Sequence, residues 1–148
     1  MNEPLGEPIQ HPITKLGFFI EYTTSWLPEL REASRTLEEA RAKPHVLLDD
    51  DVAHIRRVYA EQAGDLVLFE DTAARWAAGS DLSEDQRTGL KVLQGNLAEL
   101  RELNTSIREL AEYLAPRTLD RVLATPDMEL GLNFLLAQVM DKGPGTTS

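Results

Sequence analysis

Three pairs of residues in the chain are spaced one helical turn apart in a way that could do chemistry: Asp51-x-x-His54, Glu99-x-x-Glu102 and Glu109-x-x-Glu112. Carboxylate bundles that hold metal ions set inward Glu residues and a Glu-x-x-His pair on facing helices. This chain has no Glu-x-x-His. The heptad frame says where each pair points. With Leu97 at position a and Leu100 at d, Glu99 falls at c, Glu102 and Glu109 at f, and Glu112 at b. Asp51 and His54 fall at g and c beside Val52. All of these are expected on solvated faces, so no catalytic, metal-ligating or cofactor-binding residue is assigned. An all-α carboxylate-dependent metal hydrolase acting on phosphate esters is the first alternative. It requires the third helix to change register between Leu100, Leu103 and Ile107, turning Glu99 or Glu102 inward.

Other chemistries have less to build on. With no Cys, disulfide, thiolate-metal and Cys-nucleophile chemistry are excluded. His11, His45 and His54 fall in an arm, a loop and an outward helical position. Neither a Gly-x-Ser-x-Gly elbow nor a glycine-rich phosphate loop occurs. The 148 residues carry 25 Asp and Glu against 15 Lys and Arg, a formal charge of −10. Binding to a phosphate backbone needs a clustered basic footprint, so nucleic acid is not an expected partner. Arg31, Arg35 and Arg41 are interleaved with Glu29, Glu32, Glu38 and Glu39 in a pattern of i,i+3 and i,i+4 pairs, while Arg56-Arg57 stands apart. The acidity leaves a second alternative, a decoy or inhibitor that occupies a basic nucleic-acid-binding protein.

The elements that would position any site are helical. Val52, Ile55, Tyr59, Gln62, Leu66, Phe69, Ala73 and Trp76 step alternately by three and four, a heptad seam. Asp49, Asp50 and Asp51 precede it as an N-cap and helix-dipole partners, and Gly79 is placed to end it. A third helix opens on a Ser83–Gln86 capping box and runs through Leu90, Leu93, Leu97, Leu100, Asn104, Ile107, Ala111 and Leu114. Leu103 and Leu110 widen its apolar stripe beyond a two-stranded seam. A first helix, roughly Pro12 to Ala42, spaces Leu16, Thr23, Leu30 and Leu37 by seven and is expected to kink or break near Trp26 because of Pro28. A short helix at Thr118 to Ala124 and a last one from Pro126 to about Met140 complete the pattern.

The short connections specify an all-α, antiparallel up-down bundle of three long helices, its fourth position filled by a shorter two-piece C-terminal segment. Residues 1–11 are expected to be a flexible arm, 12–141 one domain and 142–148 a disordered tail. No apolar stretch approaches the ~20 residues of a membrane span. With no export signal and no Cys, the cytoplasm is the expected location.

Two further features point to association. Polar residues interrupt the seams: Gln62 at d, Asn104 at a and Thr23 in the first helix. Such residues set register or oligomeric state, or bond a nearby backbone group. The first helix is also wider than one seam can bury, with Phe18 roughly 125° from the centre of the face that Leu16, Phe19, Thr23, Trp26, Leu27 and Leu30 define. Phe18, Tyr22 and Trp26, with Phe134 on the last helix, are the expected dimer or partner interface. The reading from sequence is therefore a non-enzymatic homodimer or adaptor that binds its own copy or another protein's amphipathic helix.

Overall fold

In a computed structural model that describes residues 11–124, one helix organises the rest. Helix α3, Glu84–Leu114, begins where the Ser83 hydroxyl accepts the Gln86 backbone N–H and the Gln86 side chain accepts the Ser83 N–H. These bonds satisfy two donors that a helix start leaves open. From there its seam holds register for its whole length. Leu90, Leu93, Leu97, Leu100, Asn104, Ile107, Ala111 and Leu114 are all buried, and so is Leu110. The stutter near Asn104 that would turn Glu99 or Glu102 inward does not occur.

Helices α1, Leu16–Ala40, and α2, Asp49–Ala77, both pack on α3 and approach it much more closely than they approach each other. Helix α3 is thus the central element. It contributes Leu93, Leu97 and Leu100 to a core shared with Leu16, Phe19, Leu27, Leu30 and Leu37 of α1 and with Val52, Leu66, Ala73 and Trp76 of α2. Helix α2 is antiparallel to α3, joined by the turn at residues 78–83, whereas α1 lies parallel to α3. At Gly89 of α3 an added Cβ would come within 2.9 Å of Leu16 Cδ2, which shows how tightly these two helices approach.

Several helix ends differ from expectation, each for a local reason. Helix α1 starts at Leu16 after a 3-10 turn, Ile13–Lys15, and continues through Pro28 as one helix. Proline removes a single backbone donor, and burial of Leu27 and Leu30 on either side holds the segment against α3. The N-cap of α2 is Leu48, which has no side-chain acceptor. Asp49, Asp50 and Asp51 instead form the first turn, where Asp51 Oδ2 accepts the Leu48 N–H at 2.9 Å. Gly79 follows the C-cap Ala78 without a left-handed backbone, and its N–H bonds the Trp76 carbonyl at 3.0 Å. His11, placed in the arm by sequence, is docked: its carbonyl accepts the Trp76 indole N–H at 2.9 Å and its ring packs on Phe19.

After α3 the chain turns through Ala115–Arg117 into α4, Leu119–Ala124, the first piece of the expected C-terminal segment. Phe134, the second piece and the tail lie outside the described residues. Among the described residues no helix is long and apolar enough to cross a membrane.

Gly64 lies in the interior of α2 with open space around its missing Cβ. Gly64→Ala should therefore stabilise the protein by about 1 kcal/mol through helix propensity alone, read as a higher urea midpoint at unchanged slope.

Candidate interaction face

The three polar seam residues find their partners within the chain. Thr23, fully buried, donates its hydroxyl to the Phe19 carbonyl at 2.8 Å and accepts Asn96 Nδ2 at 3.0 Å. Asn104, with 0% exposure, donates Nδ2 to the Tyr59 carbonyl at 2.9 Å and to Gln62 Oε1 at 3.2 Å. Asn104 and Gln62 therefore tie α3 to α2 at one level and set the register of that pair. Asn104 Oδ1 is buried with no partner, and an unsatisfied buried acceptor costs about 1–3 kcal/mol.

Glu70, Glu99 and Glu112 form ion pairs along the flanks of α3. Arg31 of α1 forms a two-pronged pair with Glu99 at 2.8 and 2.9 Å. Arg56 of α2 does the same with Glu112, and Arg101 of α3 with Glu70 at 2.7 and 3.0 Å. Of the Arg56-Arg57 pair, isolated in the sequence, Arg56 thus has an acidic partner on the neighbouring helix, while Arg57 lies against His54. Hydrogen bonds from Arg31 and Arg56 hold the Glu99 and Glu112 carboxyls below the usual range. On α1, Arg35 bonds Glu32 and Glu39, as the spacing predicts. Among the described residues no three His, Cys, Asp or Glu gather closely enough to hold a metal ion.

An exposed apolar patch lies beside these pairs on α1. Helix α2 takes up only part of the extra width of α1, and Phe18 stays 61% exposed and Tyr22 40% exposed. Their rings stack at 5.8 Å with an interplanar angle of 8°. Tyr22 meets Trp26 at 4.9 Å, and Trp26 stacks on Phe69 of α2 at 5.7 Å. Below this ladder Phe19 contacts both Phe69 and Trp76, so the surface rings rest on a buried aromatic base. Such pairs contribute about 0.5–1.5 kcal/mol each beyond area burial, which favours a rigid face.

Helix α2 adds residues that the sequence reading did not assign to the face. Leu68, 56% exposed, and Phe69 border a cavity of about 240 Å³ with Phe19, Thr72 and Arg75. The signal was the run Leu66-Val67-Leu68-Phe69, which is more apolar than one seam requires. Towards the other end of the α1–α2 pair, Ala33, Thr36 and Leu37 face Ile55, Val58 and Tyr59 across a groove of about 270 Å³. Burial, with a smaller contribution from the nearby Glu29 carboxylate, raises the Tyr59 hydroxyl above its ordinary pKa. The face is thus two apolar stretches on one side of the bundle, with Glu29 near the groove.

Three outcomes are expected. Asn104→Leu removes the orphaned oxygen and should raise stability by about 1–2 kcal/mol, measured by denaturant melts. A depressed folded-state carboxyl stabilises above its unfolded pKa, and that contribution disappears as pH falls through the folded value. The melting temperature should therefore fall as pH drops below about 4.5, the ordinary value for Glu99 and Glu112. Joint Glu99→Gln and Glu112→Gln substitution should shallow that slope only slightly, because both pairs are solvent-screened.

The chain matches no protein-family model, no curated protein and no solved structure, so a reading of its function rests on this geometry.

Proposed function

We propose that the protein acts by protein–protein association, without catalysis of its own, through the side of the bundle formed by α1 and α2. The observation that carries this reading is the ladder Phe18–Tyr22–Trp26, exposed at Phe18 and Tyr22 and half-buried at Trp26, continued onto Phe69 and bordered by Leu68. Solvent-facing apolar residues are ordinary when scattered, but a contiguous aromatic set pre-ordered by stacking is suited to bury against a partner. The occupant is a second copy of the chain or an amphipathic helix of another protein, which would lay its apolar stripe along the α1–α2 face.

The charge supports the same role. Ten net negative charges keep an exposed apolar face from driving precipitation and favour a partner whose rim is basic. Glu29 and Asp71 lie along or beside the face, where they would meet such a rim. A cytoplasmic location fits a Cys-free protein of this kind.

Native mass spectrometry of the intact chain at low micromolar concentration tests the reading. A dimer, or a co-purifying protein of defined mass, is expected. Joint Phe18→Ser and Tyr22→Ser substitution should weaken that complex at least about tenfold, as loss of an aromatic hot spot does. Helicity by circular dichroism should stay unchanged. A complex that survives the substitutions, or a chain that unfolds because of them, overturns the assignment of these rings to an interface.

A further inference from the structure

Two cavities meet at His11 and Arg75, near the end of α2. The larger, about 380 Å³, opens to solvent beside the turn into α3, next to Trp76, Asp81 and Gln86. The smaller, about 240 Å³, is more enclosed, and its apolar wall is Phe19 of α1 with Leu68 and Phe69 of α2. His11 closes one side of it. The His11 ring packs on Phe19 at 5.5 Å, and its carbonyl accepts the Trp76 indole N–H at 2.9 Å. The wall is thus held in place by the core, as the walls of small-ligand sites usually are.

The polar residues of the smaller cavity come from one face of α2. Leu68, Asp71, Thr72 and Arg75 follow one another at i, i+3, i+4 and i+7. An acid four residues before a base on a helix ordinarily pairs with it, and even the less favourable order, Arg35 with Glu39 on α1, pairs at 2.9 Å. Asp71 and Arg75 do not. Both line the cavity, and neither has an ion-pair partner among the described residues. Thr72, between them, is 6% exposed, and its side chain makes no hydrogen bond among the described residues. Buried hydroxyls ordinarily have a partner. One cation, one anion and one hydroxyl therefore stand unsatisfied beside an aromatic wall.

We propose that this cavity binds a free α-amino acid with an apolar side chain. The ligand carboxylate pairs with Arg75 and accepts the Thr72 hydroxyl, the ammonium meets Asp71, and the side chain lies on Phe19, Leu68 and Phe69. The two charges of an α-amino acid sit on neighbouring carbon atoms, which matches helix residues whose Cβ atoms are about 5–6 Å apart. A peptide end carries only one of those charges, so the free molecule fits better. The volume lies just below the ~300 Å³ at which sites for drug-sized ligands begin, which suits a ligand of this size. The site does not rest on the association reading, since neither Phe18 nor Tyr22 lines it.

Isothermal titration calorimetry of the intact chain with L-phenylalanine and with L-leucine tests the proposal. Saturable binding of at least one of them, at one site per chain, is expected. The N-acetyl and amide derivatives of that amino acid each lack one charge and should bind at least about tenfold more weakly. Arg75→Gln and Asp71→Asn should each weaken binding of the parent amino acid by a similar factor. Both side chains are exposed, so helicity by circular dichroism should not change. Absence of saturable binding for both amino acids overturns the proposal, and so does full-strength binding of either derivative or by either variant. Loss of binding in Asp81→Asn but not in Asp71→Asn places the ligand in the larger cavity and overturns it as well.

Discussion

Everything in this structure depends on α3 having an apolar stripe too wide for one neighbour. Leu93, Leu97, Leu100, Ile107 and Leu114 face into the core along its length, with Leu110 and Leu103 extending the stripe to one side. Two helices are needed to remove that surface from water, and each buried leucine contributes about 1.5–3 kcal/mol relative to exposure. Helices α1 and α2 meet the requirement by packing on α3 rather than on each other. The groove between them follows directly, because helices held apart by a third close only where their side chains are long enough to meet. At one end Phe19, Phe69, Tyr22 and Trp26 bridge the separation. At the other, the smaller Ala33 and Thr36 leave it open.

The polar interactions align this arrangement more than they stabilise it. Exposed Arg–Glu pairs contribute little individually, yet those between α3 and each partner helix fix how far the helices slide. Asn104 has the same effect inside the core at the expense of an unsatisfied oxygen. A bundle of leucine seams has near-equivalent registers one heptad apart, and a buried amide with few acceptable neighbours discriminates among them.

The fold was legible in the sequence because the signals were long and periodic. The seams of α2 and α3 could be written from three-four spacing, and all eight α3 positions lie buried. Outward placement of Glu99, Glu102, Glu109 and Glu112 also followed from that spacing, but the arginine partners of Glu99 and Glu112 did not. Arg31 and Glu99 are 68 residues apart, and which helix lies on which flank of α3 is not encoded in a heptad. The excess width of α1 was visible at Phe18 and Tyr22. Whether a central position would absorb it was decided only by which helix became central. Leu68 and Phe69 escaped assignment to the face for a related reason: a seam residue and a face residue share a helical angle to within one position. The N-cap of α2 falls at Leu48 rather than on one of the three aspartates, and the Thr118–Asp49 bond that ties down the first turn is non-local.

The parallel pairing of α1 with α3 has a consequence for how the molecule comes together. The α2–α3 hairpin closes across a turn of a few residues, whereas the contacts of α1 with α3, such as Asn96 with Thr23, span 73 residues of chain. Loop closure of that size costs entropy that only a preformed hairpin surface can offset. The hairpin is thus the local unit of the fold, and α1 is the long helix that must close a long loop to reach α3. A partner of the kind proposed above, by gripping α1, would hold the long helix that no short turn joins to α3.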